Sequence, residues 1–538
     1  MKNDALLYKI RLFLILGLAI FVQLFNFSQK EVYHIDELFS YGLANGENGV
    51  YLFKDASEID NKLLKKDFFI NYLTQTQNST YAKMWNNLKY DNHMPLYFVL
   101  LHTISNFFST GFTSYPGIIL NVIILLTLLI SLYKLAIFVF NDKEIALVTI
   151  SLFMLTESIM FLSIFIRMYL LQILSSTMLF YMVLRFMLND KENTLKMLLI
   201  ICILSSLTIL THYYSIIYCF ILTLTGSIIL LKQKRYKKIF KYALAMLISV
   251  VISYFIYPEM LTVGTKGERG GQLVLLLSQY IKEPLKILSN QLPLFINTFF
   301  INNYIAIMLL SISLILVFLS KTVLDENKRE ILIMSYLTFI GYGFISSLIM
   351  PNMTTYQIRY FAPILSIGTI LIIYFGFVFI KLIKAKPFKL YIFLWLIVGI
   401  NGYYIINYPN RAFYLRGNDK YKRTENIVKD AEIWWALGGG NQYSWIIHNY
   451  LDKLALADKV WTLVDFDNEE FLNLAQKGKE NKKYAYLFMP KTQEQIPEGA
   501  EEWINKATNR QGYYMYTIKS DKTAAMTFEA SIYLVCPY

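Results

Sequence analysis

The sequence predicts an all-α polytopic membrane protein of about 11 transmembrane helices, followed by a small extracytoplasmic C-terminal α/β domain. Three observations lead there. Hydrophobic residues make up 56% of the 538 and charged residues only 17%, with a mean hydropathy of +0.42. The apolar residues run in segments of about 20, the length that crosses roughly 30 Å of hydrocarbon. Ile118 to Phe140, Ile145 to Ile166, Leu292 to Leu319 and Phe361 to Ile380 are examples, and one soluble core cannot absorb so many. The basic residues, in turn, gather in short connections between these runs.

The first element is the N-terminal stretch. Lys2, Lys9 and Arg11 precede or open an apolar run to Phe27, much as in a signal peptide. The sequence Phe25-Asn26-Phe27-Ser28 offers no small-residue cleavage site, so the run reads as an uncleaved first span. Further spans are expected near 116–140, 145–165, 168–189, 197–214, 215–231, 239–257, 292–319, 331–350, 360–381 and 389–408, after the first at 8–27. With the N-terminus cytoplasmic, the Lys/Arg clusters at 185–196, 232–241, 321–329 and 381–389 all fall in the cytoplasm. One miscounted helix would invert every later loop. The apolar segment 95–109 is too short for a comfortable crossing and would break this pattern if it spanned. It is read as a re-entrant or interfacial helix.

Residues 1–408 thus form a transmembrane module with two outward regions: 28–94, expected to hold short amphipathic helices on the membrane, and 258–290, with Gly264, Gly267, Gly270 and Gly271. The third outward region is the tail 409–538, long enough for a small domain. In it Lys459–Phe466, Tyr484–Met489, Tyr513–Ile518 and Ile532–Val535 read as strands, with helical pattern at Thr424–Leu437 and Glu469–Lys477.

Composition also excludes some functions. The net charge of +13 lies in topology-setting loops. No basic domain with interleaved aromatics tracks a phosphate backbone, which argues against nucleic acid. The three cysteines, Cys202, Cys219 and Cys536, imply no disulfide framework.

Candidate chemistry begins at Tyr33-His34-Ile35-Asp36-Glu37, just beyond the first span. Two adjacent carboxylates there suit a general base or a divalent cation site, or simply a solvated acidic pair at a helix end. At the far end of the same region stands Asp91-Asn92-His93-Met94-Pro95-Leu96-Tyr97. Pro95 fits the first turn of a helix, and His93 before it could donate to an anion, or the whole could be an ordinary loop-to-helix junction. Arg167 with Tyr169, His212 with Tyr213 and Tyr214, and Arg359 with Tyr360 lie at outer ends of spans. Ionisable residues at such depth face a bundle interior or cavity, or snorkel to headgroups. All of them share one side of the membrane with Asp36 and His93, while Glu157 could pair with one of the cations.

These elements, in this order over roughly residues 8–380, resemble the GT-C superfamily of glycosyltransferases. They are most similar to the branch with bacterial aminoarabinose transferase and the protein O-mannosyltransferases. Asp36-Glu37 resembles the family's acidic pair after the first span, and His93-Met94-Pro95-Leu96-Tyr97 its His-Pro-Pro-Leu-Tyr element. Arg167-Met168-Tyr169, Thr211-His212-Tyr213 and Arg359-Tyr360-Phe361-Ala362-Pro363 resemble its Arg-x-Tyr, Thr-His-Tyr and Arg-Tyr-x-x-Pro elements. Met94 stands where relatives carry proline, and Phe165 where they often carry an acid.

The resemblance implies a multi-pass cell-membrane glycosyltransferase, mannosyltransferase-like, in which a polyprenyl-phosphate sugar donor meets an envelope acceptor at the outer face. Asp36 would be the base, with Glu37 orienting it or the acceptor. His93, Arg167, Tyr169, His212, Arg269 and Arg359 would bind the donor phosphate. A divalent cation, Mg or Mn, could sit at Asp36 and Glu37, and a single base implies an inverting displacement. The rival readings are a transporter or flippase of lipid-linked glycan, and a non-catalytic subunit of an envelope-polymer assembly that binds through 409–538.

Overall fold

The computed structural model describes residues 2–261 apart from short stretches, 320–407 apart from 350–354 and 385–386, and six segments of the tail between 434 and 537. The expected span 292–319, nearly all of the outer region 258–290 and the expected helix 469–477 lie outside the described residues. The chain forms two compact units. One comprises Met1–Phe27, Asp91–Tyr97 and Ile118–Pro409, and the other Ser28–Tyr90, Phe98–Gly117 and Asn410–Tyr538.

The first unit is helical because hydrocarbon offers backbone amides no partner but each other. Its helices are α1 (Lys2–Ser28), α6 (Tyr115–Phe140), α7 (Lys143–Met154), α8 (Glu157–Ile164), α9 (Tyr169–Leu188), α10 (Thr194–Ile209), α11 (Tyr214–Lys232) and α12 (Tyr236–Ile256). After them come α13 (Glu326–Ile349), a 3-10 segment at Thr355–Ile364, α14 (Leu365–Leu382) and α15 (Pro387–Asn407). Among the described residues six helices are long and apolar enough to cross a bilayer, or seven if the bent pair α7 and α8 is one span. The chain is thus a multi-pass membrane protein. The run expected as one span at 145–165 is broken at Leu155 and Thr156, where its two halves bend by 63°. Likewise α10 stops at Ile209, so Thr211, His212 and Tyr213 form a turn between helices rather than the end of a span.

Small polar residues bring α10 and α12 together. Ser249 Oγ donates to Ser205 Oγ at 2.9 Å and Ser206 Oγ to the Ser249 carbonyl at 3.1 Å, both buried. In hydrocarbon such contacts and the close approach they allow replace the hydrophobic drive that water would supply. The outer face of α12, with Phe240, Leu247 and Phe255, is exposed as a lipid-facing stripe would be. Toward the start of α1, Arg11 grips Glu144 of α7 with two hydrogen bonds of 2.6 and 2.7 Å. Trp395 of α15 donates to the same carboxylate at 2.8 Å. Three helices are joined there, beside a cavity of about 620 Å³ lined by Tyr8, Glu144 and Trp395.

Among the described residues the second unit contains α2 (Ile35–Asn45), α3 (Lys66–Leu73), α4 (Tyr81–Lys89), most of α5 (Leu96–Ser105) and six strands. At 10 residues α5 rises only about 15 Å, half a bilayer. Gly42 of α2 lies against Tyr72 of α3, and a Cβ there would sit 2.1 Å from the ring. Asn87 Nδ2 of α4 donates to the Gly46 carbonyl at 2.7 Å, closing the end of α2.

Strand β1 (Lys62–Lys65) pairs antiparallel with β3 (Lys459–Leu463), and β2 (Trp434–Leu437) pairs parallel with β3. The last four residues of the expected helix 424–437 are therefore strand. Trp434, Trp435 and Leu437 suit a strand as well as a helix, and a partner distant in sequence decides. Strands β4 (Ala485–Lys491), β5 (Tyr513–Lys519) and β6 (Glu529–Pro537) form an antiparallel sheet in the order β4-β6-β5. All four stretches read as strands in the tail thus carry strand. Residues 28–90 group with the tail from Asn410 in the second compact unit.

Candidate active site

In the second unit the acidic pair opens α2. His34 is the N-cap; its Nδ1 accepts from the Asp36 amide at 3.0 Å, and Glu37 Oε2 accepts from the His34 amide at 2.8 Å. That reciprocal capping box satisfies two of the amides a helix start leaves bare. The other oxygen of Glu37 accepts from Lys30 Nζ. Both side chains are buried, at 1% and 0% exposure, and the Lys30 ammonium also lies 4.9 Å from the Tyr33 ring centre. Glu37 is therefore held on both sides, by a backbone amide and by an ammonium. Asp36, one residue earlier, turns a partly exposed carboxylate toward His34, with 3.7 Å between Oδ2 and Nδ1.

This arrangement does not fit a two-carboxylate metal site, since Lys30 stands where a cation would bind Glu37. Among the described residues no group of three or more His, Cys, Asp or Glu side chains could hold a metal ion. Phe165 is buried and stacked on Tyr169, with ring centres 5.9 Å apart.

In the first unit the cationic residues meet where several helices end. The chain leaves α8 in a tight turn, with the Arg167 amide bonded to the Phe165 carbonyl at 2.8 Å. Asn121 of α6, fully buried, donates to the carbonyls of both Ser163 and Phe165 at 3.0 Å. Gln23 of α1 adds a bond to Ser163 at 2.8 Å. Each of these carbonyls, left without a helical partner by the end of α8, thus accepts from two donors. So clamped, the turn delivers Arg167, which is 2% exposed, with its Nη2 2.7 Å from His93 Nε2. His93 Nδ1 is hydrogen-bonded in turn to Asp91 Oδ2. A backbone bond of 3.0 Å from Leu96 to Leu210 fastens this loop beside the 211–213 turn.

The remaining residues gather around Tyr169. The His212 ring lies 5.4 Å from it and the Arg359 guanidinium 5.8 Å. Arg359 also lies 5.2 Å from the Tyr360 ring, whose neighbour at 4.9 Å is Tyr214. Guanidinium groups over aromatic faces hold their charge while staying partly desolvated. Just before α11, His212 Nδ1 accepts from the Tyr214 amide at 3.1 Å, which leaves Nε2 as the other ring edge. In the turn between helices, burial and the carboxylates of Asp91 and Glu259 push the Tyr213 phenol up to about 12; it stays neutral. Tyr257, just past α12, is raised by burial and by the same neighbours.

The structure thus gathers His93, Arg167, Tyr169, His212 and Arg359 in one unit and sets Asp36 and Glu37 in the other; Arg269 lies outside the described residues. Glu157 opens α8 with an exposed side chain, at the break between helices. Sequence reasoning missed Lys30 and Asn121. The signal for Asn121 was present, a lone amide in the apolar run 116–140, since such a residue needs partners at membrane depth.

No protein-family model matches the chain, and no curated protein is similar to it in sequence. In structure it is similar to ArnT from Cupriavidus metallidurans, solved bound to undecaprenyl phosphate, with a TM-score of 0.47 and 10% identity over 97% of each chain. It is also similar to the Archaeoglobus fulgidus oligosaccharyltransferase in its apo form, at TM-score 0.46 and 12% identity, covering 97% of this chain and 74% of that one. The archaeal enzyme AglB from the same organism, complexed with an inhibitory peptide and a dolichol-phosphate, matches at TM-score 0.44 and 12% identity over 96% and 74%.

Proposed function

We propose that this protein is a membrane glycosyltransferase that moves a sugar from a polyprenyl-phosphate donor to an envelope acceptor (a cell-wall polymer, lipid glycan or protein) on the outer face of the membrane. The observation that carries the reading is the cluster of Arg167, His93, Tyr169, His212 and Arg359. Two arginines and two imidazoles, backed by tyrosines at the ends of apolar helices, suit an anion on a lipid stem. Cations kept at such cost in a membrane protein mark a pathway or a site.

In this reading Asp36 takes the proton from an acceptor hydroxyl. The freed oxygen forms a bond to the anomeric carbon of the sugar as the bond from that carbon to the phosphate oxygen breaks. Arg167 and Arg359 hold the charge that builds on the departing polyprenyl phosphate, while His212 offers Nε2. One direct displacement inverts the anomeric centre. Glu37 is held by Lys30 and His34 and so acts through the shape of the α2 start, fixing where Asp36 stands.

The test uses purified protein in nanodiscs with a panel of polyprenyl-phosphate sugars and an envelope extract. Release of polyprenyl phosphate from one donor is expected, and Arg359→Gln should slow it by roughly 10²–10³, the usual cost of one electrostatic stabiliser at a reacting centre. Labelled lipid-linked sugar that crosses the bilayer without being cleaved would replace the transferase reading with that of a flippase.

A further inference from the structure

Donor binding alone does not account for the way His93 is bonded. A guanidinium has only donors and stays protonated in proteins. In the 2.7 Å contact between Arg167 Nη2 and His93 Nε2, the arginine therefore donates and the imidazole accepts. An accepting Nε2 places the ring proton on Nδ1, where Asp91 Oδ2 receives it. The ring is neutral, a donor on one edge and an acceptor on the other. Its loop is fixed by the bond from Leu96 to Leu210, and Asp91 also faces the phenols of Tyr213 and Tyr257 beside Glu259.

We propose that Asp91 and His93 are positioning residues: the carboxylate sets the tautomer of the imidazole, and the imidazole holds the guanidinium of Arg167 in the orientation that meets the donor phosphate. His93 is then not a cationic phosphate ligand. The consequence for donor affinity rests on the lipid-phosphate reading above, whereas the hydrogen-bonded chain itself does not. An arginine side chain has large rotamer freedom. A fixed acceptor on one Nη removes part of that freedom before the donor arrives.

The substitutions separate the two roles of His93 by opposite signs. Glutamine offers a neutral amide oxygen that can accept from Arg167, while lysine offers a cation with no acceptor. Polyprenyl phosphate binding is measured with the full chain in nanodiscs. His93→Ala should weaken it roughly 10–150-fold, the equivalent of one hydrogen bond to a charged group. His93→Gln should recover most of that loss and His93→Lys none. Recovery by lysine and not by glutamine would overturn the proposal.

A second measurement does not depend on the ligand. With only five histidines in the chain, nitrogen-15 NMR can assign His93 and report which ring nitrogen carries the proton. A neutral ring protonated on Nδ1 at pH 7, altered by Asp91→Leu and by Arg167→Gln, is expected. A doubly protonated ring, or one insensitive to both substitutions, would refute the chain. If the NMR result holds while the wild type binds no polyprenyl phosphate, the positioning pair stands and the lipid-phosphate reading falls.

Discussion

Breaking the Lys30–Glu37 pair should loosen α2 by a predictable amount. Both side chains are buried, and Glu37 also completes the capping box with His34. Removing one partner of a buried ion pair costs about 3–5 kcal/mol, because the other charge is left uncompensated away from water. Lys30→Met and Glu37→Gln should each reach that range if the helix start opens locally. At about 1.4 kcal/mol per tenfold, amide protection over Ile35–Asn45 should fall by roughly two to three and a half orders of magnitude. The double variant leaves no bare charge, and glutamine can still accept from the His34 amide, so much of the loss should be recovered. Hydrogen exchange read by mass spectrometry on the protein in nanodiscs reports both numbers. Single variants with protection within threefold of wild type, or a double variant whose loss equals the sum of the singles, would refute the claim that Glu37 is a buried structural carboxylate.

Four further outcomes are expected. Asn121→Leu removes two buried hydrogen bonds from the turn, leaving only Gln23 on the Ser163 carbonyl and the Arg167 amide on that of Phe165, and should cost about 1–3 kcal/mol by thermal unfolding, with a loss of transfer because Arg167 hangs from that turn. Gly42→Ala should destabilise by about 1–3 kcal/mol through overpacking against Tyr72, although alanine favours an open helix by about 1 kcal/mol; a rise in melting temperature would contradict the close approach. Trp395→Phe removes one hydrogen bond to the Glu144 carboxylate and should lower stability by about 1.5–3 kcal/mol without changing the KM for the donor. The hydroxyl of Thr76 and, more weakly, Lys83 hold the Glu47 carboxyl below 4.5. A lowered acid contributes stability that is complete above that value and is lost as pH falls through the folded one. Amide protection around Thr74–Ser79 should therefore decline in acid, and Glu47→Gln should flatten the decline.

The helical module was legible because apolar runs of bilayer length carry their own address. Helices occupy nearly every expected span that lies among the described residues. The break between Met154 and Glu157 was not legible, because Leu155 and Thr156 are compatible with a continuing helix and hydrophobic periodicity carries no mark of a bend there. The pairing of β1 with β3 joins residues about 400 positions apart, and no local pattern announces it. The cationic residues stood out because arginine and histidine are costly at the ends of apolar runs. Their division of labour did not. Whether an imidazole donates to a phosphate or accepts from an arginine depends on which nitrogen meets Arg167, a matter of ångströms. The same holds for the acidic pair, where a lysine seven residues earlier separates Glu37 from Asp36 in role.

The most direct test compares Asp36→Asn with wild type in matched nanodiscs, after hydrogen exchange has shown α2 equally protected in both. Each is given the same polyprenyl-phosphate sugar and envelope acceptor, and polyprenyl phosphate release is measured together with its binding. The account predicts that release is lost while binding persists, since Asp36 acts on the acceptor and the cations hold the donor. Release at a near-normal rate from the variant would remove Asp36 from the chemistry and contradict the account.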